Sequence, residues 1–512
     1  MIMEHPGMPL IWALPVFVGM AMIGFRALVS SPATAGRPDH RPISNFPSLG
    51  PLARVLTRSP WPLVAAKIFF AAIFLLIIAA GLFGSPIAER NLATALTWTV
   101  WWTVVIITVF IVGTAWCAVC PWNSLAKWLV TRRLWRRGSE TASLALRVPG
   151  FLRNLWPALI LLIGLTWLEL GLGVTDNPRA TASLALFVLV LAVVLLAVFE
   201  RNALCRYFCP VGRTIGAYAQ LAPVELRPID SDVCAKCETL DCYHGTETVE
   251  PCPTHLTMGR FAQNTYCTSC GSCALSCPAD NVSWRSRPMA AEAEAGARPH
   301  WDEAWFVLGL LALTIFHGVS MLIGWQGLMG EISAFCGGPE WSLVGFTIAM
   351  IITLAVPALA FLACVGLTIR FADAGWRQFR QSFSGLAFAV LPLAFAYHIA
   401  HNLSHLVREG DGLASVFANP FGTGTGPLSL PELHLRHDSW LIPEQALFAL
   451  QSGIMLWGFW MAVRILHRRG RGMFGQGRDL AGWRLFPMLV FIVAVTGFNM
   501  WLIMQGMIMR MA

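Results

Sequence analysis

The chain is poor in charge: Asp, Glu, Lys and Arg make up only 12% of its 512 residues, whereas 56% are hydrophobic. Soluble domains carry about twice that charged fraction, so a soluble globular enzyme is excluded. The sequence also lacks a phosphate-cradling glycine loop, a catalytic triad and a paired-carboxylate site, which argues against kinase and hydrolase activities. What it does contain is long apolar segments and 14 cysteines.

The apolar segments are long enough to cross a membrane, which takes about 20 residues each. They form two groups of five, separated by a polar region that is rich in cysteine. The segments lie near 9–29, 61–84, 94–116, 154–173 and 183–200, then near 303–325, 342–369, 385–406, 442–466 and 485–508. The first has no basic start and no small-residue cleavage site after it, so we expect a retained anchor in contact with membrane lipid.

The basic residues predict how the chain crosses the membrane, because Lys and Arg are enriched in cytoplasmic connections. The connections of one side carry Arg26, Arg37, Arg41, Arg54, Arg58, Lys127, Arg132, Arg133, Arg136, Arg137, Arg147, Arg153, Arg370, Arg377 and Arg380. The opposite connections hold only Arg90, Arg179, Arg408 and Arg436. We therefore expect a multi-pass protein of the bacterial inner membrane with both termini periplasmic and the cysteine-rich region cytoplasmic. Because the net charge of +8 comes from residues flanking apolar segments, no nucleic-acid partner is expected.

The cysteine-rich region contains the run Cys267-Thr-Ser-Cys270-Gly-Ser-Cys273-Ala-Leu-Ser-Cys277-Pro278. This is the spacing with which bacterial ferredoxins ligate a [4Fe-4S] cluster. A structural zinc site is the alternative, but zinc sites use two separated pairs of ligands. A second, more widely spaced set lies upstream and comprises Cys234, Cys237, Cys242 and Cys252. Together the eight thiolates predict two [4Fe-4S] clusters and a role in electron transport.

The ligand pairing follows from resemblance to two-cluster ferredoxins, in which the fourth cysteine of each run ligates the other cluster. That resemblance implies one cluster on Cys234, Cys237, Cys242 and Cys277, and another on Cys267, Cys270, Cys273 and Cys252. The predicted fold is an all-α polytopic membrane protein with a small cytoplasmic ferredoxin-like α+β domain inserted between two five-helix halves. Its expected parts are an N-terminal membrane domain (1–227), the ferredoxin domain (228–285), a linker (286–300) and a C-terminal membrane domain (301–512).

Two further cysteine pairs recur at the ends of apolar segments. Cys117 and Cys120 precede Pro121, and Cys205 and Cys209 precede Pro210. Each Cys-Pro is expected to close a helix at the cytoplasmic surface and to lead into an amphipathic stretch. The four thiols would then lie at one membrane depth, where they bind a further iron–sulfur cluster or a metal, or act as dithiols. Buried inert cysteines are the alternative.

These motifs, the sequence CRYFCPVGRTIGAYAQLAP that begins at Cys205, and the ferredoxin-type region resemble the NosR/NapH group of polyferredoxin-like membrane iron–sulfur proteins. The resemblance covers residues 60–285 and leaves the C-terminal five-helix half unmatched. It implies electron transfer between the quinone pool or a cytoplasmic donor and a periplasmic redox enzyme or carrier. The chain would then be the electron-transfer component of an oxidoreductase system, and quinol a partner.

The C-terminal half carries its own cluster of histidines. His398, His401 and His405 fall within an arc of about 60° on one helix, and His317 lies at a similar depth on another apolar segment. Ionisable residues inside a membrane are usually functional. We predict that His317 and one or two of the other three ligate a b-type haem. The alternatives are helix packing, a quinone contact, or a copper site assisted by Cys336, His434, His437, Met500, Met504, Met507 and Met509.

Two functions are therefore compatible with the sequence. The first is a membrane electron conduit that uses the cytoplasmic clusters and membrane-embedded redox sites. The second is a redox-active factor that handles a metal such as copper or helps to assemble a respiratory metalloenzyme. Both require the iron–sulfur clusters, and they differ in what the C-terminal half binds.

Overall fold

The computed structural model describes residues 4–29, 40–132, 143–338, 343–475 and 482–508. Within these residues, nine helices are long and apolar enough to cross a bilayer. They are Leu10–Val29, Trp61–Phe83, Leu92–Val112, Pro178–Val198, Trp301–Val319, Leu343–Phe371, Trp376–Ala418, Glu444–Phe474 and Gly482–Met504. This architecture supports the predicted multi-pass membrane protein.

The remaining predicted segment, 154–173, forms a shorter helix. Trp156–Gly171 has 16 residues, which span about 24 Å and so fall short of a hydrocarbon core of about 30 Å. Pro157 stands in its first turn, a position that proline favours, and the chain turns at Gly173, whose φ is +60°. The difference from the predicted ten spans therefore lies in the length of this one helix.

Short helices continue the chain after both Cys-Pro pairs. Pro121–Thr131 begins directly after Cys120, and Pro210–Tyr218 begins directly after Cys209. Each cysteine is the N-cap residue, and each proline occupies the first helical position, where its missing N–H costs nothing. The prolines therefore begin new helices as well as ending the preceding ones. Other short helices are Gly50–Arg58, Ala115–Val119, Trp325–Phe335 and Leu430–Asp438.

The region 228–285 is built around a small antiparallel sheet. Strands β2 (Arg41–Pro42), β3 (Val224–Pro228) and β4 (Val282–Ser286) pair in the order β2-β4-β3. The short helices between β3 and β4 are Ser231–Ala235, Asp241–His244 and Ser272–Leu275. Leu226, Met258, Ala274 and Val282 form a separate apolar core beneath them. Several cysteines of the predicted cluster sets pack on this core: Cys234, Cys242, Cys273 and Cys277.

Buried polar side chains fasten the region 228–285 to the membrane helices. Glu303, at the start of helix Trp301–Val319, is 2% exposed. Its carboxylate accepts hydrogen bonds from Gln220 (2.9 Å), Gln263 (2.8 Å) and Thr265 (2.6 Å). Gly216 lies against the backbone of Thr265 at a distance that leaves no room for a Cβ atom. The small domain is thus packed directly on the bundle.

The segment 286–300, predicted as a linker, is itself part of this packing. Glu292 and Glu294 are buried. Arg287 pairs with Glu292 and with Glu225, and Glu294 pairs with two arginines of helix Glu444–Phe474, Arg464 and Arg468. Buried carboxylates require such partners, and Glu225, Arg464 and Arg468 lie far from residues 286–300 in the sequence.

The two chain ends meet at the opposite end of the bundle. Strand β1 (Glu4–His5) pairs with β5 (Met507–Ile508), and Ile508 donates to the carbonyl of Met321, just beyond helix Trp301–Val319. The small sheet adjoins the start of that same helix. Which end faces the cytoplasm stays a prediction, and Arg37, Arg133, Arg136 and Arg137, on which it partly rests, lie outside the described residues.

Candidate redox site

One group of thiols in the small domain is partly exposed. We call Cys234, Cys237, Cys242 and Cys277 the distal set. Asn281 joins two of its members, donating its backbone N–H to the Cys277 sulfur (3.4 Å) and its side-chain amide to the Cys234 sulfur (3.5 Å). Burial raises the pKa of the Cys242 thiol, and the neighbouring Cys234, Cys237 and Cys277 raise it further. Cys277 thus lies beside the upstream cysteines, as the crossed pairing requires.

The second group, which we call the proximal set, comprises Cys252, Cys267, Cys270 and Cys273. Burial raises the pKa of the Cys267 thiol to about 11, and Cys270 and Cys252 contribute to the rise. Burial likewise raises the pKa of Cys273, with contributions from the other three and, most weakly, from Cys242. Cys252 therefore lies with the downstream run although it comes from the upstream one.

Backbone N–H groups point at the sulfurs of both sets. Leu256 donates to Cys252 (3.3 Å) and Ser269 donates to Cys267 (3.4 Å). Hydrogen bonds to cysteine sulfur are among the features that set the potential of iron–sulfur clusters. The donor chemistry of both sets therefore fits [4Fe-4S] clusters.

The two cysteine pairs at the helix ends also come together. We call Cys117, Cys120, Cys205 and Cys209 the membrane set. A Cβ atom at Gly212 would lie 3.4 Å from the Cys209 sulfur and 3.9 Å from the Cys117 sulfur. Burial raises the pKa of Cys205, and Cys209, Cys120 and Cys117 raise it further, in that order. Four thiols from two hairpins thus share one buried space.

A buried cation lies beside the membrane set. Arg213 is fully buried, and its Nη1 donates to the carbonyl of Thr265 at 2.5 Å. Its Nε and Nη2 atoms have no hydrogen-bond partner among the described residues. The nearby Cys117 and Cys209 have their pKa values raised by burial and lowered by this guanidinium. A buried charge needs a counter-charge, and thiolates that hold a cluster would supply it.

The membrane set adjoins the proximal set. The Thr114 and Ser269 hydroxyls are 2.6 Å apart, which joins the loop before Cys117 to the Cys267–Cys270 loop. Arg201 donates to the carbonyl of Cys252 (2.9 Å), and Arg206 donates to that of Thr254 (2.6 Å). The proximal set therefore lies between the membrane set and the distal set, whose Cys242 is near Cys273.

A cavity of about 510 Å³ opens at the same junction. Its wall includes Cys205 of the membrane set and Cys270 of the proximal set, together with apolar side chains such as Leu63 and Val130. The ion pair between Lys127 and Glu250 lies at its edge. The volume falls within the range of about 300–1,000 Å³ that is usual for small-molecule sites.

The histidines of the C-terminal half separate into two groups. One nitrogen from each of His317, His401 and His405 lies within 4.8 Å of the others. We call these three residues the histidine site. His398 is one turn deeper in the helix Leu391–Glu409 and instead meets the hydroxyl of Tyr218, 3.1 Å from its Nδ1.

The space around the histidine site does not fit a haem. The cavities that its members line measure about 30, 10 and 50 Å³, far below the volume of a macrocycle pocket. The described residues therefore fit a single ion better, and we do not propose a haem there.

The residues suggested as further copper ligands are dispersed. Cys336 and His434 are exposed, and Met500 is fully buried. Met507 lines a cavity together with His401 and His405. Met509 lies outside the described residues, as does the side chain of His437.

Three residues beside these sites were not identified from the sequence: Arg213, Tyr218 and Glu409. Arg213 and Tyr218 belong to the stretch that follows Cys209, but nothing in their spacing shows that they are buried. Glu409 follows His405 by four residues, which places the two on one helix face, and this spacing was an available signal.

Comparison with known proteins supports electron transport at a general level. The protein named "Putative electron transport protein YccM" of Escherichia coli (strain K12) is 28% identical over 151 residues. The similarity covers 29% of this chain and 39% of the length of that relative. No family model matches the chain, and no solved structure matches it significantly.

Proposed function

We propose that this protein is a membrane electron-transfer protein of the NosR/NapH type. It would pass electrons between the quinone pool or a cytoplasmic donor and a periplasmic redox partner. The observation that carries the proposal is the succession of the distal, proximal and membrane sets, which adjoin one another and end beside the buried Arg213. An inert scaffold would have no use for twelve thiols arranged in this way.

Iron–sulfur clusters, when bound, supply one-electron carriers. The cysteines of each set would hold them as thiolates. Asn281, Leu256 and Ser269 direct N–H groups at the sulfurs and so stabilise negative charge there. Arg213 offsets negative charge at the membrane set, where water is excluded.

The cavity at the junction is the proposed quinone site. Its apolar wall suits an isoprenoid-bearing ring, and its polar edge offers Asn123 and the Lys127–Glu250 pair to the ring oxygens. A quinone ring bound here would lie beside two cysteine sets, because Cys205 and Cys270 line the cavity. Electrons from a quinol would therefore enter where the two sets adjoin.

Cluster content tests the first part of the proposal. Iron and acid-labile sulfide in anaerobically purified protein should approach about eight each per chain for two clusters, or about twelve with a third on the membrane set. Stoichiometric zinc with little sulfide would contradict the proposal. A structural zinc protein would be the better account in that case.

A matched pair of variants tests the quinone site. Val130 lines the cavity and is 8% exposed, whereas its neighbour Leu129 is 40% exposed. We expect Val130→Trp to fill the cavity and to slow cluster reduction by a short-chain quinol at least tenfold, with sulfide content unchanged. Leu129→Trp should behave like the wild type. Equal rates of cluster reduction in both variants would show that quinol does not bind in this cavity.

The histidine site favours a second candidate function, the handling of a redox-active metal. A metal carrier would release its ion to a partner, whereas an electron conduit would keep it through many turnovers. Repeated reduction and oxidation of the purified protein, followed by desalting and metal analysis, separates the two. Loss of the ion in the first cycle would favour metal handling.

A further inference from the structure

The histidine site lies far from the cysteine sets and is not needed by the proposed function. His317 follows Glu303, which contacts the small domain, by 14 residues of one helix, or about 21 Å. His401 and His405 are 4% and 6% exposed. The imidazole of His317 is half-buried, so the three rings lie together inside the bundle near strands β1 and β5.

We propose that His317, His401 and His405 bind one first-row transition-metal ion. Imidazole is a preferred ligand of copper, zinc and iron, and three nitrogens within 4.8 Å of one another can ligate one ion. The Nε2 atoms of His401 and His405 are 3.3 Å apart. They therefore point at the same place, with the His317 ring 5.1 Å from that of His401, centroid to centroid.

Glu409 supports this assignment from behind His405. Its Oε1 is 2.7 Å from His405 Nδ1, and its Oε2 accepts a hydrogen bond from the Thr99 hydroxyl at 2.9 Å. A carboxylate on the outer ring nitrogen leaves the other nitrogen unprotonated and aimed inward. Metal-bound histidines almost always have such a partner.

The site also has room for a small exogenous ligand. The cavity of about 50 Å³ beside His317 and His401 is lined by Thr314, Glu169 and Tyr397. It accommodates water but no large molecule. Three histidines with a water in the fourth position are typical of reactive metal sites, whereas structural sites are closed by four protein ligands. Glu169 lines this cavity and Glu409 contacts His405, so both carboxylates are available to help balance a divalent charge.

The test is the metal content of the full-length protein, purified without a histidine tag. We expect one copper, zinc or excess iron ion per chain beyond the iron that matches the sulfide. His401→Ala and His405→Ala should lose it. His434→Ala, which removes an exposed histidine on the helix Leu430–Asp438, should keep it. Sulfide content measured in parallel shows that each variant is folded and loaded.

Glu409→Gln provides a milder test, because all three imidazoles remain. We expect metal affinity to fall by about 10- to 100-fold, measured by titrating Co²⁺ into chelator-treated protein and following its visible absorption. Absence of the ion in the isolated protein, together with no Co²⁺ binding that depends on His401, would overturn the proposal. The proposal would also be overturned if His434→Ala lost as much of the bound ion as His401→Ala and His405→Ala. Neither result would affect the clusters, whose presence the sulfide reports separately.

Discussion

The hydroxyl of Tyr218 lies 3.1 Å from Nδ1 of His398, and both side chains are buried. Tyr218 ends the helix that begins directly after Cys209, and His398 lies on the helix that carries His401 and His405. This contact joins the N-terminal and C-terminal halves within the bundle. It also links the element that follows the membrane set to the element that carries the histidine site.

Replacing Tyr218 with Phe should destabilise the protein without removing a cluster. The variant leaves His398 Nδ1 without this partner, and a buried unsatisfied polar atom costs about 1–3 kcal/mol. We expect a lower midpoint of thermal unfolding in detergent and unchanged iron and sulfide. Tyr243→Phe, at a half-buried position in the small domain, is the control. Equal effects of the two variants would show that the contact with His398 is not responsible.

The crossed grouping of the cysteines predicts which variants resemble each other. Cys277→Ser should give the same loss of reduced-state paramagnetic signal as Cys234→Ser, because both belong to the distal set. Cys252→Ser should instead match Cys267→Ser. If the grouping followed the order of the sequence, Cys277→Ser would match Cys267→Ser, and that result would contradict the assignment.

Arg213 should influence the potential of whatever the membrane set binds. A unit charge at a separation of several ångströms interacts by on the order of 2 kcal/mol at an effective dielectric constant of about 20, or about 90 mV for one electron. Arg213→Met should therefore make the midpoint potential of that group more negative, as measured by a redox titration. Arg213→Lys keeps the positive charge, so its midpoint potential should be close to that of the wild type. The same midpoint potential in all three proteins would show that the charge of Arg213 does not act on the membrane set.

Glu225 should stabilise the small domain down to an unusually low pH. Burial alone would raise the pKa of this carboxyl, but Arg287, Arg227 and Arg285 lower it to about 2 from its ordinary 4.5. The pKa of Glu225 is thus lower in the folded protein than in the unfolded chain. Its contribution to the free energy of unfolding is therefore complete at pH values above 4.5, the pKa in the unfolded chain. Between pH 4.5 and 2 that contribution falls, by at most about 1.4 kcal/mol per pH unit.

Two substitutions test this carboxylate by thermal unfolding. Glu225→Gln should cost about 3–5 kcal/mol at pH 7, because Arg285 loses its buried carboxylate and Arg227 and Arg287 keep only Glu292. The difference in stability between Glu225→Gln and the wild type should become smaller only as the pH falls below about 4.5. Asp280→Asn, which breaks the exposed pair with Arg58, should cost less than about 1 kcal/mol at either pH. If Glu225→Gln were already as stable as the wild type at pH 5, that result would contradict the lowered pKa of Glu225.

Local patterns anticipated much of this structure. Apolar length predicted the helices, and the repeated Cys-Pro pairs predicted two matching helix ends because proline favours the first position of a helix. His401 and His405 are separated by one helical turn, so periodicity alone places them on one face. His398 shares that face but lies a turn deeper, which is why it meets Tyr218 in place of His317.

Long-range partners were not predictable in the same way. The burial of Arg213 depends on Thr265 and on thiols from two hairpins, none of which adjoins it in the sequence except Cys209. Residues 286–300 have the composition of a linker, yet Glu292 and Glu294 are buried and pair with Arg227, Arg464 and Arg468, which are distant in the chain. Composition predicts the local conformation of a segment, whereas the burial of these residues depends on partners from other parts of the chain.

The pairing of β1 with β5 has a consequence for any protein fused to this chain. Pro6, Met8 and Met507 line a cavity together with His401 and His405, so the paired strands β1 and β5 lie next to the histidine site. A polyhistidine extension at either terminus would bring surplus imidazoles to the proposed ion and compete for it. A fusion inserted at the exposed Gly424, which belongs to neither strand, would add no imidazole to either terminus and would leave that ion to the three native ligands.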